Sequence, residues 1–102
     1  MHRVGFVMQL KPGTEAIYQQ KHAEIWPEMI DTLHRYGIRN YSIFRRGLSL
    51  FAYYECDDPA QTQGQRDDPV VRRWWQMMEP YMDYNSDGTP WSEAIEEVFH
   101  LD

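Results

Sequence analysis

Tyr18 and His22 stand four residues apart in one segment of helical pattern, and the adjacent tryptophans Trp74 and Trp75 sit in another. Side chains at i and i+4 are neighbours on a helix surface, so Tyr18 and His22 form a local pair. An aromatic face packs against the C–H face of a sugar ring, and Tyr and Trp add a hydrogen-bonding edge. Histidine exchanges protons near neutral pH. An aromatic floor beside a proton carrier suits chemistry on a small polar ring. Taken singly, each residue has a plainer explanation. His22 falls inside an apolar stripe, where a histidine is usually a satisfied core residue. Tyr41 reads as a strand aromatic with its hydroxyl at the rim, and a tryptophan doublet on an apolar helix face usually belongs to the core. The functional weight lies in the set. Adjacent helical positions diverge by about 100°, so one tryptophan is expected in the core and the other in a cleft.

Other chemistries are poorly served. His2, His22, His34 and His100 show no HxH or HxxxH spacing, and Cys56 is the only cysteine, so no metal site is expected. No glycine-rich phosphate loop and no G-x-S-x-G elbow occurs. Cys56 lacks a visible activating partner. A net charge of -6 argues against a nucleic-acid partner, and Arg45-Arg46 is too short a basic run to overturn that. A lone cysteine forms no intrachain disulfide and demands no oxidising compartment. No apolar stretch reaches membrane-spanning length, and Val4–Leu10 is too short for a signal peptide, so a cytoplasmic location is expected. One hundred and two residues, 42% hydrophobic and 25% charged, predict a single domain over 1–102.

The elements that must position these residues follow from periodicity. Arg3–Leu10 alternates, with Val4, Phe6, Met8 and Leu10 on one face, and reads as a strand. Thr14 is placed to cap a helix, with Glu15 in the favourable first turn. Tyr18, His22, Ile25, Met29 and Leu33 then form one stripe, which Pro27 should break near Ile25-Trp26 and restart. Gly37 closes it. Asn40–Arg45 and Leu48–Glu55 are strands joined by a turn at Arg46-Gly47. Asp58-Pro59 starts a short helix broken around Gly64, and Asp68-Pro69 starts a longer one through about Met82. A loop over Asn85–Pro90 leads to a short final strand at Val98-Phe99-His100-Leu101. The order β-α-β-β-α-β is the split βαβ pattern of a ferredoxin-like α+β fold with an antiparallel sheet. One layer of helices leaves the second, apolar sheet face bare, and a dimer would hide it.

As an ordered set, the motifs carry a resemblance. Phe6-Val7-Met8-Gln9-Leu10, Tyr18 with His22, Ile25-Trp26-Pro27-Glu28, Gly37-Ile38-Arg39-Asn40-Tyr41-Ser42-Ile43, and Arg73-Trp74-Trp75 with Met78 resemble the L-rhamnose mutarotase family. The similarity runs from the first strand to Glu97-Val98-Phe99. It implies a cytoplasmic homodimer of the dimeric αβ-barrel type. It also implies an isomerase that interconverts the α and β anomers of L-rhamnose without metal or organic cofactor. Matched by motif, His22 takes the place of the family's proton donor, and Tyr18, Tyr41, Trp74 and Trp75 its substrate-binding positions. The hairpin at Arg45-Arg46-Gly47 is shorter than in the best-known members. Mutarotation needs a base as well as an acid, and three candidates stand open: a tyrosine hydroxyl, a carboxylate such as Glu28, or water. Two rival readings share the fold: a small dimeric αβ-barrel monooxygenase or cyclase, with a mainly apolar pocket, and a non-catalytic sugar-binding dimer.

Overall fold

The computed structural model describes residues 1–102. Four strands, β1 (His2–Gln9), β2 (Arg39–Arg46), β3 (Ser49–Cys56) and β4 (Glu93–Ile95), form one sheet in the order β2-β3-β1-β4. All three pairings are antiparallel. Four helices, α1 (Glu15–Ala23), α2 (Pro27–Arg35), α3 (Pro59–Gln63) and α4 (Pro69–Met78), complete the ferredoxin-like α+β arrangement, with short 3₁₀ turns at Gly64–Asp67 and Glu79–Tyr81.

Alternation along the two central strands decides which face is covered. Met8 lies opposite Leu50, Phe6 opposite Ala52 and Val4 opposite Tyr54. Directly opposed residues of an antiparallel pair share a face, and this face meets the helices. Met8, Leu10, Leu50 and Ala52 join Tyr18 of α1, Met29 of α2, and Val71, Trp74 and Met78 of α4 in the main core. Burying side chains of this size stabilises by roughly 1.5–3 kcal/mol each. The other face carries Val7 opposite Phe51 and Gly5 opposite Tyr53. Phe44, also opposite Phe51, is 69% exposed there.

Local signals behave as their chemistry dictates. Pro27 at the first position of α2 separates it from α1, so the stripe is carried by two helices. Gly37, at φ 80°, ends α2 with its N–H on His34 O and that of Ile38 on Leu33 O, the paired bonds of a Schellman cap. Asp58 and Asp68 each accept the N–H two residues on. Thr14 occupies the N-cap position, but its hydroxyl is directed to Lys11 O and Tyr81 O and gives α1 no side-chain cap.

Three boundaries differ from the sequence expectations. α4 stops at Met78 rather than near Met82, because Pro80 has no N–H to continue the ladder and the chain tightens into a 3₁₀ turn. The β2–β3 turn falls on Gly47-Leu48, one residue later than expected, since Arg46 pairs with Ser49. The last strand is Glu93–Ile95, not Val98–Leu101. Ile95 packs over Gly5, where an added Cβ would meet its Cγ1 at 3.1 Å, and that close approach fixes β4 on β1. Val98, Phe99 and Leu101 have a strand's composition but no partner edge, and they stay 78–90% exposed.

Candidate active site

Between the covered sheet face and the helices lies a cavity of about 1100 Å³, and Tyr18, His22, Tyr41, Trp74 and Trp75 all contribute to its wall. The fold brings the five together from three elements.

α1 supplies Tyr18 and His22. Their rings lie 4.3 Å apart at 33°. His22 Nδ1 sits 3.0 Å from the carbonyl oxygen of Tyr18. A carbonyl only accepts, so Nδ1 carries the proton and the neutral ring presents its lone pair at Nε2. Burial lowers the His22 pKa below its ordinary value, against the opposing pull of that hydrogen bond. The imidazole therefore rests neutral, with one nitrogen committed to the backbone and the other free to take a proton.

Tyr41 arrives by an irregularity. The β2–β3 register shifts between Arg39 and Ser42, and Asn40 inside it has φ 51°, a left-handed conformation that asparagine tolerates better than most residues. Such bulges re-aim a side chain. Here Tyr41 turns to the helix side, edge-on to Phe6 at 6.4 Å and tilted against Tyr54 at 5.6 Å. The residue keeps 37% of its surface exposed, yet burial of its phenol end raises its pKa well above a tyrosine's ordinary value, with Tyr18 and Tyr54 adding to the effect. Tyr18 is raised by the same cause, with Tyr84 nearby. Both hydroxyls therefore stay protonated and act as donors.

α4 supplies the tryptophans. Trp74, only 5% exposed, meets His22 edge-on at 5.4 Å and Trp26 at 5.1 Å. It is core and cavity wall at once, so the expected division between one core tryptophan and one cleft tryptophan is not either-or. Trp75 is half-buried, with the Arg72 guanidinium 5.5 Å over its ring and its carbonyl accepting from the Tyr84 hydroxyl.

Glu28, one of the sequence candidates for a base, lies outside the cavity wall, exposed and paired with Arg73 at 3.2 Å. Cys56 is fully buried among Ile38 and Tyr54, and that burial raises its thiol pKa, which leaves it unreactive. No three His, Cys, Asp or Glu side chains converge on a point that would hold a metal ion. Among the wall residues that the sequence did not single out are Glu15 and Tyr54. The signal for Glu15 was its spacing, three residues before Tyr18 and seven before His22.

Hydroxyl donors, aromatic walls and a neutral imidazole can hold a hydroxyl-rich ring and move a proton at it. Comparisons with known proteins give the family. The model of the L-rhamnose mutarotase family matches residues 3–101. An L-rhamnose mutarotase of Lactiplantibacillus plantarum is 43% identical, with all of both chains covered. The crystal structure of an L-rhamnose mutarotase from Formosa agariphila superposes at TM-score 0.91 with 31% identity, again over both whole chains. Tetracenomycin F2 cyclase from Streptomyces glaucescens superposes at 0.69 with 18% identity, covering 100% of this chain and 98% of that one, a likeness of fold alone.

Proposed function

The chain belongs to the L-rhamnose mutarotase family of isomerases, and from that premise we propose that it interconverts the α and β anomers of L-rhamnose with His22 as the proton carrier. The observation that carries this reading is the orientation of His22. Its Nδ1–H is held by the Tyr18 carbonyl, which leaves Nε2 as the acceptor in an aromatic-walled cavity.

Ring opening moves one proton in two transfers and breaks the C1–O5 bond. The anomeric O1–H gives its proton to Nε2, the C1–O1 bond becomes a carbonyl, and the ring oxygen O5 leaves C1 and takes up a proton. O1 and O5 are bonded to the same carbon, so one imidazole serves both: His22 donates to O5 the proton it has just taken from O1. Rotation about C1–C2 turns the aldehyde over, and the reverse transfers close the ring on the other face. No electrons are gained or lost, so the cycle calls for no redox group. Positioned proton transfer of this kind contributes ~10²–10⁴-fold. The Tyr18 and Tyr41 hydroxyls donate to sugar oxygens, while Trp74 and Trp75 stack on the apolar ring face and accept the methyl group of a 6-deoxy sugar.

The working form is a homodimer. Phe44, Phe51 and Ile95 on the bare sheet face, 40–69% exposed, and the apolar tail residues Val98, Phe99 and Leu101 supply a surface that a second copy would cover. A cytoplasmic location accords with a single free, buried thiol, and no helix is long and apolar enough to cross a membrane.

Polarimetry across a panel of free sugars, in buffer containing EDTA, tests the reading. The protein should speed anomer exchange of L-rhamnose most among them. Sugar binding without faster exchange would reduce the protein to a sugar-binding dimer. Loss of activity on chelation, restored by a divalent metal, would defeat a mechanism carried by His22 alone.

A further inference from the structure

Glu15 is the one carboxylate among the residues that line the cavity. It opens α1, and positions 15, 18 and 22 follow one another at steps of three and four residues along a single helix face. Its Oε1 is buried, and no protein donor reaches it. An acceptor removed from water without a hydrogen bond is costly, and more so when charged. Hydroxyls along the same wall supply donors. Tyr18 and Tyr41 act as hydroxyl donors, and the free acceptor of His22 is occupied by the anomeric chemistry.

A ring hydroxyl has its own proton to place and needs an acceptor. We infer that Glu15 Oε1 accepts hydrogen bonds from the sugar's ring hydroxyls at the end remote from C1, which makes it a specificity-determining residue. This rests on the reading that the cavity holds a monosaccharide. Position along the helix separates this role from that of a general base. Seven residues at about 1.5 Å each put Glu15 and His22 roughly 10 Å apart along the axis, with Tyr18 between them. Two groups so placed bracket a pyranose ring rather than meet at its anomeric carbon. Charge-assisted acceptance is stronger than neutral acceptance, so a sugar lacking the bonded hydroxyl should be discriminated against.

Glu15→Gln keeps an acceptor oxygen without the charge, and Glu15→Met removes both at similar length. For L-rhamnose, KM should rise in the order Glu, Gln, Met, by about tenfold at Met, with kcat held within about threefold. Ring-deoxy analogues of rhamnose, each lacking one hydroxyl, should include one for which wild type and Glu15→Met become equal. An unchanged KM in both variants would overturn the proposal. So would a large fall in kcat at constant KM, which would make Glu15 a base at C1. Should wild type exchange no anomers, the functional reading fails by itself. Titration of L-rhamnose followed by tryptophan fluorescence still decides Glu15: weaker binding by Glu15→Met supports the role, and equal binding overturns it.

Discussion

Met8, Leu50, Ala52 and Tyr54 on one face of the sheet are buried under helices, whereas Phe44, Phe51 and Ile95 on the other meet no further layer of this chain. Both faces are built by the same alternation in the same strands, and they differ in what the rest of the chain supplies. α1, α2 and α4 carry apolar stripes that need a surface, and a single helical layer consumes one face only. The covered face then does two jobs. It closes the core, and where Tyr18, His22 and Trp74 meet it leaves a cavity whose wall includes core residues such as Tyr18 and Trp74. The bare face keeps exposed apolar side chains and none of Tyr18, His22, Tyr41, Trp74 and Trp75. Changes on the two faces should therefore separate catalysis and folding from assembly.

The largest effect is expected at Trp74, where core and cavity coincide. Trp74→Ala should cost ~3–5 kcal/mol of stability, measured by denaturant unfolding. A loss below about 1 kcal/mol would place Trp74 in the pocket alone. His22→Ala should reduce anomer exchange by at least ~10²-fold with circular dichroism and dimer mass unchanged. A variant that exchanges anomers at nearly the wild-type rate would return His22 to the core. On the bare face, wild type should show dimer mass by light scattering at micromolar concentration, and Phe44→Glu should weaken the dimer by about tenfold or more. Monomer mass for wild type would break the contrast between the faces. Trp75→Phe should have the smallest effect, a few-fold weaker sugar binding with little change in stability; equal binding would remove Trp75 from the wall.

What could be read in the sequence follows the same division. Local chemistry was legible, because Asp58, Asp68, Pro27 and Gly37 act through neighbours a few residues away. The convergence of Tyr18, His22, Tyr41, Trp74 and Trp75 was legible only as an ordered set. Their meeting depends on sheet order and on the bulge at Asn40, which no periodicity announces. Pro80 marks the end of α4, although the apolar pattern runs on through Met82. The position of β4 was not readable. Val98–Leu101 has the better strand composition, and the choice of Glu93–Ile95 is made across the sheet by Gly5. Glu15 has a sufficient local explanation at the start of a helix, and that hid its place in the cavity.

The central claim, that a half-buried neutral imidazole moves the proton, is tested most directly by the pH profile of anomer exchange. The rate of L-rhamnose exchange is followed by saturation-transfer NMR between about pH 5 and 8, with the uncatalysed rate subtracted at each point. Burial lowers the pKa of His22 below its ordinary 6.5, and the neutral ring is the active form. The enzyme-catalysed rate should thus be level near neutrality and fall as pH drops through an apparent pKa under 6.5, with that titration absent in His22→Ala. A catalysed rate that climbs as pH falls through this range would make the imidazolium the active form and contradict the account.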